Sequence, residues 1–120
     1  MSIGLPLPES DEKYVQTHKF RSAAVDRAGG VATPLYTTAT TPARTAGRSI
    51  TIWWIIYYNH SGSVATVWLE VGGVPITGIL SLADGQCVIV NVKPLDIGNN
   101  DVTVNASANN VQAQIGGIET

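Results

Sequence analysis

Few residues in this 120-residue chain carry the chemistry of catalysis: two histidines and one cysteine, set among seven basic and nine acidic side chains. His60 stands in the turn Asn59-His60-Ser61-Gly62-Ser63, where a histidine and two serines share one short segment. A serine nucleophile needs a base within hydrogen-bond reach and a third group that orients the base. The turn supplies no such third group, and its imidazole is expected to sit in solvent. Cys87 opens an apolar run with no histidine near it in sequence, which predicts a small buried hydrophobe rather than a reactive thiol. His18 lies among charged residues without a second ligand at metal spacing. Asp96, Asn99, Asn100 and Asp101 set oxygen donors close together. A calcium loop would also need a bidentate acid at its twelfth position, where Ser107 falls, so turn formation accounts for these residues. Asn59-His60-Ser61 and Asn105-Ala106-Ser107 match the glycosylation sequon, which stays idle without secretion. No catalytic, cofactor or metal residue is assigned, and the chain is expected not to be an enzyme.

Composition narrows the partners. The formal net charge is −2 and only 13% of residues are charged, against 44% hydrophobic, where roughly 25% charged is usual. A near-neutral, slightly acidic surface does not capture phosphate backbones or anionic lipid, so neither nucleic acid nor membrane is an expected partner. The longest apolar stretch, 52–58, is far shorter than a membrane-spanning helix. The first ten residues, MSIGLPLPES, hold two prolines and an acid where a signal peptide needs a basic start and an apolar run. Synthesis without export is expected, and a lone cysteine implies no disulfide.

Residues 1–30 hold half of the chain's charged side chains, open with Pro6 and Pro8, and close on Gly29-Gly30. They read as an extended arm with a short helical turn near 11–18. From Val31 onward, short β-branched and aromatic runs alternate with Gly, Asn, Pro and Asp, the spacing of an all-β sandwich or barrel. Seven strands are predicted, near 33–38, 48–59, 64–71, 74–79, 86–92, 101–106 and 111–118, with Lys93-Pro94 stopping the fifth. The expected fold is therefore all-β: an antiparallel two-sheet sandwich of about seven strands, Ig-like or jelly-roll-like, over 31–120, with an extended N-terminal arm.

In the longest run, the period-two rule puts Ile50, Ile52, Trp54, Ile56 and Tyr58 on one face, read as the core face. Trp53, Ile55 and Tyr57 then point outward. If 64–71 pairs with this strand as a hairpin, Trp68 joins them in an aromatic patch larger than a monomer usually exposes. Two readings stay open: the chain's own arm covers the patch, or copies of this chain or another protein do. The expected protein interface is Trp53, Ile55, Tyr57 and Trp68, with Tyr14 and Phe20 of the arm.

Read in order, Pro34-Leu35-Tyr36-Thr37, ITIWWIIYYN at 50–59, SVATVWLEV at 63–71, LADG at 82–85, KPLDIG at 93–98, DVTVNAS at 101–107 and VQAQIGGIE at 111–119 form a pattern of strands and turns. Over about 34–119 it resembles the small β-sandwich structural proteins of tailed bacteriophages, including capsid decoration (cement) proteins. The resemblance implies a virion component made in the host cytoplasm and carried on the capsid exterior. It also implies the major capsid protein and further copies of this chain, as a homotrimer, as partners. It leaves head and tail undistinguished; the short chain with an arm and no coiled-coil extension favours the head. The alternative is a tail or adhesin-associated carbohydrate-binding module, with Trp53, Tyr57 and Trp68 as a flat stacking surface for sugars.

Overall fold

A computed structural model describes residues 18–120. Tyr14, expected at the interface, and the helical turn expected near 11–18, up to His18, lie outside the described residues. In chain order the strands are β1 (His18–Arg21), β2 (Val25–Asp26), β3 (Thr33–Tyr36), β4 (Ile50–Asn59), β5 (Ala65–Val71), β6 (Val74–Pro75), β7 (Leu80–Leu82), β8 (Cys87–Gly98), β9 (Val102–Ala106) and β10 (Val111–Glu119). They form two five-stranded antiparallel sheets, and the described residues contain no helix. The first sheet runs β1-β10-β4-β8, with β2 also paired to β10; the second runs β3-β9-β5-β6, with β7 also paired to β5. The expected two-sheet sandwich is the observed architecture. Residues 18–30, grouped with the arm on composition, supply β1 and β2 to the first sheet.

Between the sheets lie the inward rows: Ile50, Ile52, Ile55 and Tyr57 of β4, Val111, Ala113 and Ile115 of β10, Val67 and Leu69 of β5, Val102 and Val104 of β9. Alternating patterns on β5, β9 and β10 produce these rows as the period-two rule requires. On the β1 and β3 side, Phe20 stacks on Tyr36 with ring centroids 4.6 Å apart.

Pairing departs from the hairpin expectation. β5 pairs with β9, β6 and β7, while β4 pairs with β8 and β10. The chain crosses from one sheet to the other after β4, and Asn59 holds that corner. It is fully buried, and its Nδ2 donates to the carbonyls of Ser63 at 2.7 Å and Leu82 at 3.0 Å. Its Oδ1 accepts from Ser61 N–H at 3.0 Å, and its backbone bonds to Gly85 and Gln86. Two turns are thereby fastened to one amide, and the strand that follows leaves across the end of the sandwich.

β4 also breaks the simple alternation. Against β10, Gly116 opposes Trp54 and Gly117 opposes Ile52, so Trp53 has no counterpart. This is a β-bulge, and one extra residue reverses every side chain after it. Ile55 and Tyr57, expected outward, are buried in the core, and Trp54, Ile56 and Tyr58, expected inward, face out. Against β8 the register jumps from Trp54 opposite Asn91 to Ile52 opposite Leu95. Lys93-Pro94 therefore falls in an irregular stretch and does not stop the strand, because a proline there removes no ladder bond. The glycine pair on β10 makes the bulge possible. A Cβ on Gly117 would collide with the Thr51 carbonyl, and one on Gly116 with the Trp54 indole.

Near the ends of β3 and β10, Tyr36 Oη donates to Glu119 Oε1 at 3.1 Å, and Arg44 pairs with Asp101 at 2.8 Å. Burial, and then the Glu119 carboxylate, push the Tyr36 phenol up to about 12.

Gly117→Ala is expected to lower stability by roughly 1–3 kcal/mol, because the methyl meets main chain that cannot step aside. Gly78→Ala, with nothing near its Cβ, should stay within about 0.5 kcal/mol. Urea midpoints of the two variants decide this. A second expectation concerns alkali. The unfolded chain releases the Tyr36 proton near pH 10 while the folded chain keeps it to about 12. The stabilisation is therefore complete below pH 10 and lost progressively up to about 12. Tyr57, also raised by burial, acts in the same direction. Tyr36→Phe should flatten the fall in urea midpoint across that window.

Candidate functional site

The bulge gives the first sheet an apolar outer face. By register, Gly116, Trp54 and Asn91 lie in one row, Gln114, Ile56 and Ile89 in the next, and Gln112, Tyr58 and Cys87 in the third. Ile89 is 67% exposed, Trp53 47% and Tyr58 36%. β1 borders this face: Lys19 pairs with Ile118 and Arg21 with Gly116. Lys19, Arg21, Trp53 and Trp54 surround an open cleft of about 490 Å³ with Gly117 and Ile118 in its floor. The arrangement is an aromatic and aliphatic centre with two cations at its rim.

At the far end of the face, Tyr58 stacks on His60 with ring centroids 5.2 Å apart. His60 Nε2 lies 2.8 Å from Asp26 Oδ1, which also accepts from Gln112 Nε2 at 3.4 Å. The imidazole is exposed, as expected of a turn residue, and is partnered by a carboxylate. The carboxylate comes from β2, too far away in sequence for local spacing to reveal. Ser61 Oγ donates to the Ser63 carbonyl at 3.0 Å rather than to His60. Cys87, expected to be buried, is exposed, because it sits on the outer row of an edge strand.

The expected interface residues separate. Trp53 lies on the outer face of the first sheet. Ile55 and Tyr57 are core residues. Trp68 is half-buried on the outer face of the second sheet, where its Nε1 donates to Glu70 Oε2 at 2.7 Å. The same oxygen accepts from Asn105 Nδ2 at 2.8 Å, and Asn105 Oδ1 accepts from Arg27 Nε at 3.3 Å. Phe20 stacks its ring on Tyr36 and also lines the cleft beside Trp53 and Trp54. Trp53, Tyr57 and Trp68 therefore share no stacking surface. Trp54, Ile56, Tyr58, Ile89, Lys19 and Arg21 form the face that sequence reasoning did not assemble. The available signal was Gly116-Gly117 inside an otherwise alternating strand, which marks a bulge or a close backbone approach.

In the 96–101 turn, Asp96 Oδ1 accepts from Gly98 N–H at 3.0 Å and Asn100 Nδ2 donates to the Ile97 carbonyl at 2.7 Å, while Asp101 pairs with Arg44. Among the described residues no three His, Cys, Asp or Glu side chains converge on a common point. No protein-family model matches the chain, and no curated protein matches it in sequence. An apolar centre rimmed by Lys19 and Arg21 suits a protein surface that carries carboxylates around an apolar patch.

Trp53→Ala is expected to change stability by less than about 0.5 kcal/mol, since the indole is largely outside the packed interior. Trp54→Ala should cost roughly 1–3 kcal/mol, because its ring covers Gly116 beside the bulge. In acrylamide quenching, loss of Trp53 should remove the most accessible share of the indole fluorescence.

Proposed function

We propose that this chain is a non-enzymatic virion structural protein of the capsid decoration type, which binds across major capsid protein subunits on the particle exterior and reinforces the shell. The observation that carries the reading is the outer face of the first sheet: Trp53, Trp54, Ile56, Tyr58 and Ile89 form an apolar surface beside Lys19 and Arg21. Apolar surface of this kind marks association, and aromatic side chains with Arg are enriched where association is strong. The low charge of the chain suits packing against neighbours, and a rigid sandwich suits a role as fixed bulk. Further copies of the chain, arranged as a trimer, are part of the proposal, because repeated modest contacts on a lattice add through avidity. A glycan-binding module finds less support, since its three proposed stacking residues lie on three different surfaces.

Phage particles assembled with this polypeptide should retain it through density-gradient fractionation of shells and release DNA at a higher temperature than particles without it. Trp53→Ala combined with Ile89→Asp, both outside the core, should lower the bound copy number by about tenfold, as loss of roughly 1.4 kcal/mol per site would do. Wild-type polypeptide absent from the shell fraction, or equal rupture temperatures, would overturn the reading; a glycan-array signal lost on Trp53→Ala would favour the alternative.

A further inference from the structure

Between β8 and residues 76–80, at the margin of the sandwich, runs an apolar groove of about 410 Å³ lined by Ile76, Ile79, Leu80, Val90, Val92 and Tyr57. Ile79 is 64% exposed, whereas Tyr57 is 2% exposed and its hydroxyl finds no hydrogen-bond partner. Among the described residues nothing closes this margin of the core, and β8 pairs only with β4, so its other edge is open. The ladder fixes which groups that edge presents. Asn59 N–H donates to the Gln86 carbonyl at 3.0 Å, in continuation of the register that sets Tyr58 opposite Cys87. Bonded and non-bonded pairs alternate along an antiparallel ladder, so Val88 opposite Tyr57 and Val90 opposite Ile55 turn their backbone groups to β4. Cys87, Ile89 and Asn91 turn theirs to the free edge. Their side chains are exposed, and from Cys87 to Val92 neither a charge nor a proline guards the strand.

We propose that this edge is the docking site of a second copy of the chain: β8 pairs antiparallel with β8 of the copy about a two-fold axis at Ile89. An unguarded apolar edge is a template for strand addition, and an antiparallel contact between identical edges is self-complementary and closes on two chains. Length selects the register. β8 runs regularly against β4 from Cys87 to Asn91 and shifts beyond Asn91, and only an axis at the midpoint, Ile89, uses the whole stretch. Ile89 then faces Ile89 of the copy, Val88 faces Val90, and Cys87 faces Asn91, so every backbone group on the free edge meets another.

The side chains fit the same axis. Val88 and Val90 of the copy extend the inward row past the edge of β8 and across the mouth of the groove, where Ile79 is exposed. Just past the regular stretch, Lys93 is carried toward Asp84 of the copy, which sets opposite charges together on both sides of the axis. An axis moved to Val90 would set Asp84 against Asp96 instead. The contact does not rest on the particle reading: a trimer would use other surfaces, and the two-fold edge would then join one trimer to the next.

Charge placed at the axis tests it. Light scattering of the full chain at about 100 µM should give the mass of two chains, as a dissociation constant in the micromolar range would. Ile89→Lys and Ile89→Glu, made at a residue 67% exposed, each set like charges against one another across the axis and should each give the mass of one chain. An equal mixture of the two variants should regain the mass of two. The amides of Cys87 and Asn91 should exchange about tenfold or more slower in the wild type than in Ile89→Lys, while that of Val88 stays unchanged. A wild-type mass of one chain at that concentration, or a mixture no heavier than its components, overturns the proposal. A mass of three chains that survives Ile89→Lys also overturns it, and leaves the particle reading standing.

Discussion

The outer surface of this protein follows from one unpaired residue in β4. Trp53 has no counterpart on β10, and everything after it is turned over relative to a regular strand. With the bulge, Ile55 and Tyr57 complete the core rows that begin at Ile50 and Ile52, and Asn59 arrives inside to receive its hydrogen bonds. Without it, Asn59 would face solvent, and the corner that carries the chain into the second sheet would lose the amide that binds its two turns. The bulge therefore couples three things that appear separate: which aromatics face out, how β4 ends, and where β5 goes. Its cost is borne by β10, where Gly116 and Gly117 give up side chains so that Trp54 and the Thr51 carbonyl can approach.

The same coupling explains what the sequence made legible. β5, β9 and β10 alternate cleanly because each keeps one face against the opposite sheet along its length, and their inward residues are the expected ones. The all-β class and the two-layer arrangement follow from that pattern. β4 misled because alternation is a local rule, whereas a bulge is defined by two strands together. Its signature lay in the paired Gly116-Gly117, more than sixty residues away in the chain. The hairpin expectation failed for a related reason. Asn59 looks like an ordinary turn residue until its partners at Leu82, Gly85 and Gln86 are known, and these are contacts between turns rather than between neighbours.

The candidate site was legible in kind but not in membership. A strand of ten residues with Ile, Trp and Tyr at nearly every position cannot bury both faces in a two-sheet sandwich, whichever parity is inward. An apolar exterior was thus implied whatever the register. Which side chains supply it depended on the bulge, so Trp53 stayed in place while Ile55 and Tyr57 exchanged roles with Trp54, Ile56 and Tyr58. Trp68 left the patch because pairing, not parity, was misread. The cations are invisible to any reading of β4 alone, since Lys19 and Arg21 arrive through the pairing of β1 with β10.

Two apolar features remain on the finished sandwich, and they differ in the interaction each can make. The outer face around Trp54 is a sheet surface whose backbone bonds are already satisfied by β10 and β8. It can offer only side chains, and so suits a broad protein surface that does not need to be extended. Among the described residues, the groove beside β8 combines apolar side chains with an open strand edge and a buried hydroxyl that finds no partner. A flat partner could not satisfy that hydroxyl or the edge N–H groups, whereas an extended chain brings a carbonyl at every residue. The two features thus differ in hydrogen-bonding demand: the face asks a partner for side chains, the groove for backbone groups.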